Sequence, residues 1–357
     1  MTRMHGTDPQ HRERLDHTGE RYSRQTRFAP LGVEGQARLA AARVAVVGCG
    51  ALGSAVAMTL ARAGVGMLRL IDRDVPELSN LPRQVLFDEA DVAAGLPKAV
   101  AAARHLQLIN SELRIEPVVA DLTASNAGDL LAAVDVIVDG LDNFEARFLV
   151  NEHACRHGIP WVHGGAIGAE GRVLAIRPGS TACLRCLVPE PPAAGSLPTC
   201  DTAGIIGPAA VVVGAVEAAE AMKLLVGAET AAAGQLLVCD LWAHAWRTVD
   251  LAPLAAAGCP TCRHGDSPWL EGRLGGRTTP LCGRDAVQVS PPTAGVDLAD
   301  VARRLAAVSA VVSNPWMVRA EVEPGIRLSV FADGRALVAG TREEPRARAI
   351  VARYLGG

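Results

Sequence analysis

From residue 43 onward, short apolar runs alternate with longer stretches in which apolar residues recur every three or four positions. Arg43 to Val47, Met67 to Ile71, Arg114 to Val119, Asp135 to Asp139 and a run near Trp161 read as strands. Ala51 to Ala63, Lys98 to Ile109 and Phe144 to His157 read as the helices between them. Strands that are apolar on both faces and separated by helices predict an α/β unit with a doubly wound, mostly parallel sheet covered on both sides. Arg172 to Ile176, Leu236 to Cys239 and Arg247 to Asp250 follow as later, antiparallel strands. The most apolar run, Ala203 to Val216, is shorter than the roughly 18 residues that span a bilayer. Glu217, Glu220 and Lys223 follow directly on it, so it reads as a buried helix.

The punctuation divides the chain. Residues 1–20 are polar, have no apolar core and are expected to form a mobile tail. Residues 21–266 form the main domain, interrupted by a Pro- and Gly-rich crossing loop from Val188 to Gly204. Residues 267–280 read as a linker, and residues 281–357 as a small α+β domain. In that domain Val287 to Val289 is strand-like and Leu298 to Ala307 helical. Ile326 to Phe331 and Arg335 to Val338 flank Asp333 and Gly334 as a hairpin, and Arg346 to Tyr354 reads as a helix.

Composition narrows the function classes. With 49% hydrophobic and 20% charged residues, the 357-residue chain is globular. A formal charge of -3 offers no basic excess, so neither nucleic acid nor an anionic membrane is an expected partner. Nine cysteines without an export signal point to metal or nucleophilic chemistry in a reducing cytoplasm. Cys49, Cys155 and Cys239 read as small core residues. Of the 35 basic residues, 33 are arginine; Lys98 and Lys223 are the two lysines.

Four constellations carry chemistry. Gly48, Gly50 and Gly53 follow the first strand and open a helix, the Rossmann-like arrangement that lets a phosphate approach the backbone. Asp72, at the end of the second strand, is placed to take ribose hydroxyls. Next come Asp74, Asn80, Arg83 and Gln84, and Pro97 then opens the helix that carries Lys98 in its first turn. A cation there opposes the helix dipole, a cost of roughly 0.3 to 1 kcal/mol that a bound anion would offset. Two added cations, Arg83 and Lys98, exceed what hydride transfer needs and suit the charge of phosphoryl chemistry. Asp142, in the turn Asp139-Gly-Leu-Asp-Asn at the carboxyl end of the fourth strand, is placed to hold Mg²⁺, with Asn143 as helix cap. Finally, Cys183 and Cys186 pair with Cys259 and Cys262 as two CxxC turns, the donor set of a structural zinc site.

Together these motifs, from RYSRQTRF at Arg21 to CPTC at Cys259, resemble the ThiF/MoeB/HesA family of adenylyltransferases, relatives of ubiquitin-activating enzymes. The resemblance implies a homodimer that binds MgATP and attaches AMP to the C-terminal glycine carboxylate of a ubiquitin-like sulfur carrier ending in Gly-Gly. By the same resemblance Asp72 holds the ribose, Asn80, Arg83 and Lys98 the phosphates, and Asp142 the magnesium. Arg24 is similar to the arginine that the family inserts into the neighbouring subunit's ATP site. Cys200 matches the position of the cysteine that takes the carrier covalently, at a helix start where a thiolate is favoured. A sulfur donor such as a cysteine desulfurase is the implied second partner; the resemblance leaves thiamin, molybdopterin and other sulfur pathways open, and the tail from Cys282, similar to thiazole-pathway members, favours thiamin. The competing readings are a nicotinamide-dependent dehydrogenase and a nucleotide-binding scaffold without activity. The terminal Gly356 and Gly357 are read as the end of the chain and not as a substrate.

Overall fold

The computed structural model describes residues 19–192, 199–228, 234–255, 258–274, 278–280, 285–289 and 295–355. Most of the expected mobile tail, part of the crossing loop and the terminal Gly356 and Gly357 lie outside the described residues. Eight of the runs are strands: β1 (Arg43–Val47), β2 (Met67–Ile71), β3 (Arg114–Val118), β4 (Val136–Asp139), β5 (Trp161–Ile167), β6 (Glu170–Ile176), β7 (Gln235–Asp240) and β8 (Ala245–Asp250). They form one sheet in the order β3-β2-β1-β4-β5-β6-β7-β8. The first five strands in that order are parallel, and β6 to β8 continue antiparallel. β4 begins one residue later than its apolar pattern, and the Asp135 carboxylate before it accepts the Arg43 amide at 2.7 Å.

Alternation along β1 explains the two-sided covering. Val44 and Val46 enter one core, while Ala45 and Val47 enter the other. Helices α1 (Gly32–Ala41), α2 (Ala51–Ala63), α3 (Glu89–Ala94), α4 (Lys98–Ile109), α5 (Phe144–His157) and α6 (Gly207–Val226) connect or cover these strands. The first core gathers Leu52, Val56, Leu60, Leu106 and Val213; the second gathers Phe148, Trp161, Leu174 and Ile176. The apolar run from Ala203 is shifted and extended: α6 starts at Gly207 and includes Glu217, Glu220 and Lys223. Gly204, at φ +74°, breaks the earlier part of the run. Glu217 is fully buried on that helix and Glu220 nearly so, with Lys223 paired to Glu220. Among the described residues, no helix is long and apolar enough to cross a membrane.

The C-terminal residues form a second sheet, wholly antiparallel, from β9 (Thr278–Pro280), β10 (Ala286–Val289), β11 (Val311–Ser313), β12 (Met317–Glu323), β13 (Ile326–Phe331) and β14 (Ala336–Ala339). Helices α7 (Leu298–Ala306) and α8 (Glu344–Leu355) pack on it through Leu305, Ala347 and Ile350. The hairpin read at Asp333 and Gly334 is β13–β14. This sheet docks beside β2 and β3: Val75 packs with Met317 and Phe331. Gln288 Nε2 donates to Asp121 Oδ2 at 3.0 Å, and Asn314 Nδ2 to the Gly95 carbonyl at 3.0 Å. The start of the segment read as a linker is packed as well, because Trp269 meets Phe148 at 5.8 Å between ring centroids and the Leu270 amide donates to Glu152 at 2.8 Å.

Candidate functional site

The site lies at the carboxyl ends of β1, β2 and β4, where an open α/β sheet receives ligands. Gly48, at φ +89°, turns the chain from β1 toward α2. A Cβ there would stand 2.5 Å from the Gly140 carbonyl oxygen, and one on Gly53 only 1.8 Å from that of Gly48. The first and third glycines are therefore demanded by the packing of the turn itself. Gly50 is different: a Cβ on it would meet no protein atom closer than 3.9 Å. Its missing side chain leaves a hollow at the start of α2, where the helix dipole favours an anion.

Asp72, Asp74 and Lys98 gather beside the glycine turn. Asp72 accepts the Cys49 amide through Oδ2 at 2.7 Å and the Asp74 amide through Oδ1 at 2.7 Å, tying the glycine turn to the end of β2. Burial raises its pKa, and the Lys98 charge opposes that rise. Pro97 sits one position earlier than the pattern suggests, as the N-cap, and Lys98 is the first residue of α4. Lys98 is 2% exposed, and its ammonium donates to Asp74 Oδ2 at 3.4 Å. A buried ammonium with three donors and one long contact has spare capacity for an anion.

Between Asp74 and α3 the chain crosses the mouth of the site. Asn80 is buried, and its Oδ1 accepts the Glu77 amide at 3.1 Å in a capping box. Arg83 donates to the Ser79 carbonyl at 2.7 Å and makes no ion pair among the described residues. Gln84 is buried, has an unpartnered Oε1, and brings its amide nitrogen to 3.9 Å from where a Gly50 side chain would begin. Asn80 and Arg83 also face the C-terminal sheet, across a cavity of about 500 Å³ shared with Glu321 and Arg327.

Below the β4 turn lies a buried polar group that the sequence reading did not single out as functional. Asp139 accepts the Leu141 amide at 2.8 Å, the Arg147 Nε–H at 2.9 Å and the His163 ring at 2.7 Å. Burial pushes its carboxyl up, but the Arg147 charge and the His163 hydrogen bond outweigh that and hold it below the ordinary value. Burial lowers the His163 pKa in turn. Glu217 lies against Gly164 with neither carboxylate oxygen partnered; burial and the Asp139 charge push its pKa well up, which favours the protonated form. Asn143 Oδ1 caps α5 through the Ala146 amide at 2.9 Å, while Asp142 stays exposed at the mouth with Asn143 Nδ2 at 3.4 Å. The carboxylate of Asp142 is thus open to a hard cation. His163 and Glu217 carry no motif, and their association comes only from the packing of α6 on β5.

Two predicted residues lie apart from this ring. Arg24 is exposed in a segment anchored by Gln25, which donates to the Ala63 carbonyl at 2.8 Å, and by buried Tyr22, bonded to Asn110 at 3.1 Å. That anchor is the far end of α2 from Gly50, about 20 Å away at 1.5 Å per residue. Cys200 starts a single turn, Cys200–Ala203, capped by Thr199, with its Sγ 3.5 Å from the Ala166 carbonyl. The turn is carried on the chain that is stitched to β5 and β6 through the Gly168–Ile205 bridge.

The four CxxC thiols converge. Cys183 lies 3.8 Å from Cys186 and 3.7 Å from Cys259, and Cys186 lies 3.6 Å from Cys262. All four sulfurs fall within 4.8 Å of one another. A tetrahedral zinc with Zn–S bonds of about 2.3 Å requires sulfurs about 3.8 Å apart, so the donor set fits that metal. Arg185 joins the two turns through Thr261 and Asp266, each at 3.1 Å. Cys155, read as a small core residue, stands beside this cluster, where its thiol lowers the Cys183 pKa. Cys49 and Cys239 are buried in the core.

The fold, its glycine turn and the four-thiol cluster define a Rossmann-like protein of the nucleotide-binding class. A family model described as "ThiF family" matches residues 22–261, and the chain belongs to that family. A relative from Bacillus subtilis (strain 168), "Sulfur carrier protein ThiS adenylyltransferase", is 41% identical over 338 residues, covering 94% of this chain and 99% of the relative. A second, the "SAMP-activating enzyme E1" of Haloferax volcanii, is 42% identical over 252 residues, covering 71% of this chain and 92% of its own. Among solved structures, "E. coli MccB + ATP" aligns with TM-score 0.55 and 26% identity over 64% of this chain and 69% of that one.

Proposed function

We propose that this chain is an ATP-dependent adenylyltransferase that activates the C-terminal glycine carboxylate of a ubiquitin-like sulfur carrier. The observation that carries the reading is the buried Lys98 beside the open hollow at Gly50, in a chain 41% identical to a carrier adenylyltransferase along nearly its whole length. The relatives' names support the carrier, and the MccB structure with ATP supports the nucleotide.

In this reading the carrier carboxylate oxygen attacks the α-phosphorus of ATP, the bond to the bridging oxygen breaks, and pyrophosphate leaves with its electron pair. A carboxylate needs no general base, so the chain's work is alignment and charge stabilisation. Gly48, Gly50 and Gly53 admit the nucleotide, Asp72 and Asp74 shape its ribose side, and Asn80, Arg83 and Lys98 take the phosphates. Mg²⁺ at Asp142 would neutralise phosphate charge as pyrophosphate departs. Zinc on Cys183, Cys186, Cys259 and Cys262 would be structural, a thiolate site suited to a reducing cytoplasm. Arg24, too far from its own glycine turn, acts on the partner subunit's ATP in a homodimer. Cys200, at the same sheet edge, is the acceptor whose thiolate takes the activated carrier in a covalent link as AMP leaves, before the carrier passes to a sulfur donor such as a cysteine desulfurase. The name of the Bacillus relative, a ThiS adenylyltransferase, and the tail from Cys282 favour thiamin-type over molybdopterin-type sulfur transfer.

Exchange of labelled pyrophosphate into ATP tests the reading, with the carrier present. Lys98→Ala and Arg83→Ala are each expected to lower exchange by about 10² to 10³, the usual loss for one transition-state contact. Rates within threefold of the parent would remove these residues from the site.

A further inference from the structure

Beneath the exposed carboxylate of Asp142, one guanidinium holds three elements together. Arg147, on the first turns of α5, donates its Nε–H to Asp139 Oδ2 at 2.9 Å and its Nη2 to two carbonyls, Leu141 at 2.7 Å and Gly164 at 2.9 Å. These acceptors belong to the end of β4, to the turn after it and to β5. The Leu141 carbonyl is half of the peptide that joins Leu141 to Asp142. The amide of Leu141 is held as well, by Asp139 Oδ1 at 2.8 Å. Both faces of residue 141 are therefore pinned by the Asp139–Arg147 pair, and the direction in which Asp142 leaves the sheet follows from that. Asp142's own side chain accepts the Asn143 Nδ2 at a long 3.4 Å and feels the Arg73 charge, with no shorter hydrogen bond among the described residues.

We propose that Arg147 is a positioning residue: it aims the Asp142 carboxylate at the magnesium–nucleotide through the carbonyl of Leu141, without touching the substrate. The inference rests on the proposed role of Asp142. Arg147 is 9% exposed and lies beneath the turn, so it is not itself a phosphate ligand. The planar fork of arginine reaches all three acceptors at once; a lysine ammonium keeps the charge facing Asp139 but not that geometry. Outer-shell partners of this kind typically change metal affinity by about 10- to 100-fold when replaced.

The test uses the full chain with its zinc and calorimetric binding of α,β-methylene-ATP, which cannot be cleaved at the α-phosphorus, over a series of Mg²⁺ concentrations. Arg147→Lys is the main variant, and Arg147→Gln is run beside it in case the lysine does not fold. The expected result is a Mg²⁺ half-saturation raised about tenfold in Arg147→Lys, with metal-free nucleotide affinity within twofold of the parent. In the Asp142→Ala background the same substitution should add nothing, because the carboxylate it acts through is gone. Multiplying effects in the double variant, equal loss of metal-free binding, or failure of both Arg147 variants to fold would overturn the proposal. If Asp142→Ala alone leaves the Mg²⁺ dependence unchanged, the reading of Asp142 itself falls and takes this inference with it.

Discussion

Glycine 50 and glycine 53 lie three residues apart in one motif, and the structure gives them different physical reasons. A methyl on Gly53 would collide with the Gly48 carbonyl at 1.8 Å, whereas a methyl on Gly50 meets no protein atom nearer than 3.9 Å. Gly53→Ala is expected to destabilise the fold by several kcal/mol through backbone displacement. Gly50→Ala should melt within about 2 °C of the parent yet lose at least tenfold in ATP affinity; thermal melts and nucleotide titrations separate the two. Glu217 supplies a pH prediction. Its pKa is raised in the fold by burial and by the Asp139 charge, with Arg147 opposing. The folded state therefore holds a proton that the unfolded chain releases above about pH 4.3. Stability from this group is fully present below that pH and is lost as pH rises toward the folded pKa. Glu217→Gln removes the dependence. Its melting temperature should match the parent near pH 4 and exceed it increasingly by pH 8, and parallel curves would show that Glu217 ionises freely.

Single-turn helices do the connecting work at the next scale. Cys183 and Cys259 are the N-caps of the turns Leu184–Leu187 and Pro260–His264, so each CxxC pair is presented on a preformed corner. Metal bound by both closes the 72 residues between Cys186 and Cys259, a loop whose entropy corresponds to about 4 kcal/mol by the cross-link relation. Chelation or Cys259→Ser is expected to lower the melting temperature by about 10 °C, and elemental analysis should find about one zinc per chain. A metal-free protein with unchanged stability would defeat the zinc assignment. α6 shows what periodicity misses. Its apolar run reads as ending at Val216, but Glu217 continues the helix into the core, because Gly164 on β5, where a Cβ would stand 2.1 Å from the Glu217 carboxylate, leaves space that the pattern does not encode.

Over the whole molecule the arginine of the N-terminal segment and the rest of the site are far apart. Arg24 is anchored near Ala63 and Asp142 stands above β4, so the two meet only across a subunit boundary in the proposed dimer. Mixing Arg24→Ala subunits with Asp142→Ala subunits should restore one intact site in each mixed dimer, about a quarter of parental exchange at equal input. Mixed dimers that form but stay inactive would place Arg24 outside the site. The C-terminal sheet is the other large-scale feature. It packs on Val75 and faces Asn80 and Arg83 across their shared cavity, so it borders the segment that follows β2.

The sequence by itself determined the order of strands and helices through the main domain, the glycine turn with Asp72 behind it, and the convergence of the two CxxC pairs. These are written in local signals: alternation, cap residues and fixed spacings that a short stretch of chain carries alone. Asn143 as cap and Asp142 beside it were legible for the same reason. Only the tertiary structure decided that Lys98 is buried, that Gln84 turns toward Gly50, and that Cys155 stands beside Cys183. It also decided that Arg147, His163 and Glu217 gather around Asp139. Each of these depends on contacts between residues far apart in the chain, and the burial of a charge is set by the sum of its neighbours and not by the residues on either side of it.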